Sequence, residues 1–209
     1  MFIGHYGIAF GAKALFPEAP LPALMLSTQL IDVVWSALVL AKVERVEIDP
    51  TATPTVPLRL SYMPYSHSLP SSIGLSIVMG LLAGVAYPDL STGALWVIAL
   101  VCFSHWLLDL IVHDHDMPLV GNRYHVGFGL WHYRVGAITL EMGVIVAGVA
   151  ALAMFGTAVV WKVLSVAALM LVIQSVSFFT APPSTPAKLA TSMLFVFGLM
   201  MMAGWWIDV

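Results

Sequence analysis

The sequence predicts an all-α fold: a polytopic membrane bundle of six or seven transmembrane helices, the first of them short or re-entrant. Three observations carry that prediction. Eight basic and eleven acidic side chains among 209 residues leave the chain 9% charged and 60% hydrophobic, where a soluble surface needs about 25% charged residues. Mean hydropathy is +0.96. Apolar runs also recur at the length of about 20 residues that crosses a hydrocarbon core as helix. The length fits a single membrane domain over 1–209, with the polar residues of interest in 1–141 and further membrane helices in 142–209.

Taken in order, the first apolar piece (about 3–16) is short for a span and reads as tilted, half-buried or re-entrant. Its start, MFIGHYG, lacks the basic n-region of a cleavable signal peptide. LPALMLSTQLIDVVWSALVLAK (21–42) is the first full span. VERVEIDPTATPTVPLRLSYMPY follows with four prolines and reads as a loop. Further spans are expected at about 68–87, 92–113, 134–156, 157–179 and 188–207, with APPSTPAK separating the last two. The single cysteine, Cys102, excludes an intramolecular disulfide. A net charge of −3 with no basic stripe gives no argument for a nucleic-acid partner.

Lys and Arg near the span ends set the expected orientation. Lys42, Arg45 and Arg59 flank one loop, Arg123 and Arg134 another, and Lys188 a third. Strict alternation puts these loops on one side, and the positive-inside rule makes it the cytoplasmic face. Lys162 is the one dissenter.

The scarce ionisable groups then fall on that same side, although they played no part in assigning it. His67 opens one span. His105 and Asp109 lie in the last turns of the next, in SHWLLDLIVHDHD (104–116). His132 precedes a span, and Glu141 lies about two turns inside it. Asp32 is near mid-span, and His5 lies in the short first helix. His105 and Asp109 are i,i+4 and share one helix face. Imidazole nitrogen and carboxylate oxygen form a normal ligand set for zinc, and manganese and iron are also compatible. An intramembrane carboxylate costs about 2.5–3.5 kcal/mol on insertion scales. Asp32 and Glu141 have no basic neighbour in sequence, and a divalent metal would offset them. A lone histidine at a helix end usually snorkels to the interface, and a lone His–Asp pair is usually just a hydrogen bond. The shared side and the i,i+4 pair argue for a metal site. His125 and the Asp114/Asp116 pair are assigned to a solvated loop.

In chain order, GHYG (4–7), QLIDVVW (29–35), SHSL (66–69) and SHWLLD (104–109) resemble the pattern of the predicted membrane-bound metal-dependent hydrolases of bacterial inner membranes. The resemblance covers roughly residues 1–135 and implies the inner (plasma) membrane as the location. That family is in turn similar to the soluble zinc-dependent phospholipase C and P1 nuclease enzymes. The resemblance implies metal ligands at His5, Asp32, His67, His105, Asp109, His115 and His132, with His115 preferred over His113 on its spacing from Asp109. Gly136 stands where the family pattern has a glutamate, unless Glu141 replaces it, so one or two metals are expected rather than three.

The implied activity is hydrolysis of a phosphoester by metal-activated water, with Asp32 orienting that water or accepting its proton. At the level of the headgroups, a phospholipid or polyprenyl phosphate is the expected lipid-phosphate substrate. Arg123 and Arg134 are the expected phosphate-binding residues, although topology alone also accounts for them. GFGLWHYR (127–134) reads as a lid with glycine hinges or as an aromatic interface anchor, the latter favoured for Trp131 and Tyr133. The competing class is a non-catalytic subunit of a larger membrane complex, or a homo-oligomer, that retains a structural or degenerate metal site. Gly7-x3-Gly11 and Gly80-x3-Gly84 would permit such helix contacts, within the chain or between chains. A haem carrier fits poorly, because the histidines gather at one end and are accompanied by carboxylates.

Overall fold

The computed structural model describes residues 2–156 and 158–209. Helix α1 (Gly4–Leu15) is followed by α2 (Leu21–Leu40), the strands β1 (Arg45–Ile48) and β2 (Leu58–Tyr62), then α3 (Leu69–Ala86) and α4 (Thr92–Val112). A second strand pair, β3 (Met117–Val120) and β4 (Arg123–Val126), leads through a 3-10 turn (Leu130–His132) into α5 (Arg134–Phe155), α6 (Val160–Phe179) and α7 (Pro186–Asp208). Among the described residues, the six helices α2–α7 are each long and apolar enough to cross a membrane. At 1.5 Å per residue, the 12 residues of α1 reach about 18 Å, short of the roughly 30 Å core.

The helix starts follow local chemistry. The Ser68 and Ser91 hydroxyls accept from the backbone N–H groups of Ser71 and Ala94, and Thr185 accepts from Lys188. Each satisfies one donor that a helix N-terminus would leave unpaired. Pro22, Pro70 and Pro186 sit in first turns, where a missing N–H is harmless.

Contacts at the two ends of the bundle show the alternation of the spans. At one end Lys13 meets Asp208 at 2.9 Å, Asp208 accepts from the Leu21 N–H, and Ser91 donates to Glu18. Lys162 donates to the Trp206 carbonyl there as well. At the other end Ser66 donates to Glu44, the Phe128 N–H to the Leu110 carbonyl, and Arg134 lies over the Phe179 ring. This second end is the one that carries the two strand pairs.

Both connections at that end hold more order than the expected loops. β1 and β2 form an antiparallel ladder with an irregularity between Arg45 and Val46. β3 and β4 pair Met117 with Val126 and Val120 with Arg123. Four prolines hide the first hairpin from a reading by composition, because strands of four and five residues are too short to show clear alternation.

α1 is packed into the bundle, and glycine decides how closely. A Cβ on Gly7 would run into the Val144 carbonyl, and one on Gly148 into the Gly7 carbonyl, so α1 and α5 cross backbone to backbone. Gly80 approaches the Leu95 carbonyl of α4, while Gly11 has nothing within 4 Å. The small-residue pairs are therefore used largely inside the chain.

Candidate metal centre

Six side chains from four segments meet at the strand-bearing end. His5 comes from the first turn of α1, Asp32 from α2, and His67 from the turn just before α3. His105 and Asp109 come from α4, and His113 from its C-cap. Their relative exposures run from 0% to 7%. The spacing 105, 109, 113 repeats i,i+4, so one face of α4 carries ligand-type groups on consecutive turns. His67 is fixed through its backbone: its N–H donates to the Met63 carbonyl, and its own carbonyl accepts from the Trp106 indole N–H at 2.9 Å.

The histidines turn their Nε2 atoms toward the two carboxylates. His5 Nε2 lies 3.2 Å from Asp109 Oδ1 and His105 Nε2 3.1 Å from Asp109 Oδ2. His67 Nε2 lies 3.3 Å, and His105 Nε2 3.6 Å, from Asp32 Oδ1. His113 Nε2 is 3.6 Å from Asp109 Oδ2. His5 and His105 stack with centroids 3.9 Å apart and planes 8° from parallel. Two overlapping triads result, His5–His105–Asp109 and Asp32–His67–His105.

The opposite ring nitrogens decide what those Nε2 atoms are. His105 Nδ1 sits 2.7 Å from the Thr28 carbonyl, which can only accept, so Nδ1 carries the proton. His67 Nδ1 is 2.7 Å from Ser66 Oγ, whose own proton goes to Glu44 Oε2 at 2.6 Å. That leaves Nδ1 as the donor again. His113 Nδ1 faces Asp116 Oδ1 at 3.0 Å. In the neutral imidazoles, three Nε2 lone pairs are thus aimed at carboxylate oxygens. The Nε2 atoms of His5 and His105 are buried without a hydrogen bond of acceptable geometry, despite their short distances to Asp109. Lone pair facing carboxylate is repulsive unless a cation lies between them. Ligands about 2.0–2.1 Å from a tetrahedral zinc stand about 3.3–3.4 Å from one another, and these separations in the cluster, 3.1 to 3.6 Å, bracket that value. Buried His/Asp groups in this arrangement can hold a metal ion.

Several expected site residues lie elsewhere. His115 is 78% exposed at its side chain, because the chain leaves the helix at His113. The ligand-facing position is therefore His113, the next i,i+4 step. His132 is 44% exposed and bonds Asp114 Oδ2 at 3.1 Å. The 3-10 turn rotates it outward and buries its neighbour Trp131 on the His113 ring, with centroids 4.2 Å apart. Trp131 is thus a packing residue rather than an interface anchor, whereas Tyr133 is exposed. That His132 bond, with the His115 N–H, holds the Asp114 carboxyl below its usual range. Glu141 is buried, but both its oxygens accept backbone N–H groups, from Phe2 at 2.8 Å and Gly4 at 2.7 Å. It closes the start of α1, where no water supplies acceptors. Arg123 is exposed on β4, and Arg134 stacks on Phe179 at 5.2 Å.

Four supporting groups escaped sequence reasoning. Glu44 reads as one more loop charge, yet it is 2% exposed and holds the N–H groups of Tyr65 and Ser66 as well as the Ser66 hydroxyl. Ser66 and Thr28 have no ionisable group to draw notice. Asp116 stands three residues after His113, which was the available signal. Gly127 and Gly129 act as a clamp: the Gly129 N–H donates to the His113 carbonyl at 2.6 Å, and the backbone of Asp114 leaves no room for a Cβ on Gly127. Both have positive φ, 152° and 70°, which glycine adopts without strain.

A cavity of about 450 Å³ opens onto Asp32, His67, Asp109 and His113, and is otherwise walled mainly by apolar side chains of α2, β2, α6 and α7. No protein-family model, curated protein or solved structure matches the chain.

Proposed function

We propose that the protein is a membrane-embedded metal-dependent hydrolase that cleaves a phosphoester carried by a lipid or another amphiphile. The observation that carries this reading is the convergence of bare Nε2 atoms on two buried carboxylates at the floor of a cavity. The resemblance of GHYG, SHSL and SHWLLD to the membrane-bound metal-dependent hydrolases points the same way. His5, His67, His105, His113, Asp32 and Asp109 would hold one or two divalent ions, zinc first on the donor set. Such an ion supplies a Lewis acid and a water acidified toward neutral pH.

The chain's own residues do the rest. Thr28, Ser66–Glu44 and Asp116 fix the tautomers and orientations of His105, His67 and His113, as outer partners of metal-bound histidines do. Asp32 lines the cavity and is placed to orient water or take its proton. The apolar walls limit bulk water and suit an amphiphile. By the positive-inside rule this end faces the cytoplasm. The cavity also favours catalysis over a structural metal site, because catalytic metals keep a position open to solvent or substrate.

The deciding experiment is metal analysis of detergent-purified protein beside His105→Ala and Asp109→Ala, followed by phosphate release from lipid phosphoesters. Stoichiometric zinc, manganese or iron that is lost in both variants, with metal-dependent release, is expected. A folded wild type without bound metal overturns the reading.

A further inference from the structure

Two hydrogen-bond donors beside the cluster have no partner among the described residues. Trp35 and Thr55 both line the cavity, at 3% and 9% exposure, and neither Trp35 Nε1 nor Thr55 Oγ1 meets an acceptor. A buried donor left unpaired costs about 1–3 kcal/mol, so such a pair beside a ligand set marks a place where an acceptor belongs. Trp35 follows Asp32 by three residues on the same face of α2, and its ring stands edge-on to His67 at 6.5 Å and 86°. Thr55 reaches the cavity from the loop between β1 and β2.

The cavity wall has a second feature. No Lys or Arg is among the described residues that line it, whereas the carboxyls of Asp32, Asp109 and Glu141 are, so an anionic ligand would depend for its attraction on the cluster's cation and on neutral donors. On the side of the C-terminal helices the lining is Ile173 and Val176 of α6 with Leu189, Met193 and Val196 of α7. Val176 is also 54% exposed, so the wall between α6 and α7 is continuous with the outer face of the bundle.

We infer that this cavity binds a membrane lipid bearing a terminal phosphate. The phosphate oxygens accept from Trp35 Nε1–H and Thr55 Oγ–H beside the metal ligands, and the acyl chain leaves between α6 and α7 into the bilayer. The inference rests on the metal-centre reading but not on turnover. Hydrogen bonds to phosphate oxygens are charge-assisted and stronger than neutral ones, which lets two neutral donors serve where Arg123 and Arg134 do not reach.

The test uses the full-length, metal-loaded protein in phosphatidylcholine nanodiscs containing a trace of phosphatidic acid with a diazirine at its chain end. Crosslinks are expected within 173–180 and 189–196, competed by unlabelled phosphatidic acid but not by equal additions of phosphatidylcholine or by inorganic phosphate. Trp35→Phe and Thr55→Val should each keep their metal and lower the yield at least fivefold. Met193→Trp should block the chain path with the same loss. Crosslinks spread evenly over the lipid-facing helices, or variants that label like wild type, overturn the inference. Competition by inorganic phosphate would make the ligand a free anion and also overturn it. Because the readout is labelling, a lipid site without phosphate release would leave this inference standing while the hydrolase reading fell.

Discussion

Helices α2 and α6 are each 20 residues long and have mean hydropathies of 1.7 and 1.8, yet 61% of the first span and 28% of the second is buried in the bundle. Hydropathy does not separate them. Apolar side chains gain little by leaving lipid for protein, so a hydrophobic helix has no strong preference for the middle of a bundle. Polar side chains do have one. α2 buries Ser27, Thr28, Gln29, Asp32 and Ser36, whereas α6 buries Gln174. Within this pair the buried polar residues follow the position: α2, with five, lies inside and builds the site, and α6, with one, stays at the edge as a wall.

The largest effect should come where inner packing is tightest. Gly7→Ala forces a methyl into the Val144 carbonyl and should destabilise the protein by about 3 kcal/mol, the upper end of overpacking costs. Gly143→Ala in the same α1–α5 region meets nothing within 4 Å. It should be neutral, or stabilising by up to about 1 kcal/mol from helix propensity. Unfolding in mixed micelles followed by circular dichroism reads both, and equal effects would break the account of the α1–α5 crossing.

A second pair tests inside against edge directly. Leu24 of α2 is fully buried, and Leu164 of α6 is 53% exposed. Leu24→Ala should cost about 2 kcal/mol through lost packing, while Leu164→Ala should stay within about 0.5 kcal/mol. If the two cost the same in that unfolding assay, α6 is held by contacts the comparison does not credit.

The legibility of the sequence divides along the same line. The helices were readable because a bilayer demands long apolar runs, and α2–α5 fall within two residues of the expected spans. His5, Asp32, His67, His105 and Asp109 stood out because ionisable groups are costly in lipid. The side chains that orient them were harder to see, since their roles depend on folding partners. Glu141 reads as a ligand because it is an intramembrane acid with no basic neighbour in sequence and could replace the glutamate missing at Gly136, but the start of α1 uses it as an acceptor. His115 was preferred on a spacing borrowed from soluble enzymes, whereas the helix continues its own i,i+4 ladder to His113. His132 depended on a turn whose rotation no pattern encodes.

Those supporting residues yield the third prediction. Glu44→Gln leaves a hydrogen-bonding side chain but weakens the acceptor for the Ser66 hydroxyl, and through it the hold on His67 Nδ1. Metal affinity should fall about 10- to 100-fold, as for other outer-shell partners, and Asp116→Asn should do the same through His113. Competition with a chelator of known affinity measures both. Unchanged affinity in both would mean that the histidines keep their orientation without the Nδ1 partners.

The smallest effect belongs to an acid that lies outside the bundle and so lacks what makes Asp32 and Asp109 matter. Asp49, beside β1, accepts from the Thr51 hydroxyl and pairs with Arg59 at 2.7 Å. The Thr51 hydrogen bond, followed by Arg59, holds its carboxyl down at about 2. A folded-state pKa below the ordinary value of about 3.9 stabilises the hairpin fully above that value, and the contribution is lost as pH falls through about 2. Water screens an exposed pair of this kind, so Asp49→Asn should leave metal content and unfolding unchanged at neutral pH. Its effect should be confined to the carboxyl titration of the hairpin, read by carbon NMR. Loss of metal in Asp49→Asn would show that the hairpin, which also delivers Thr55 to the cavity, is coupled to the cluster through its charge and not only through its backbone.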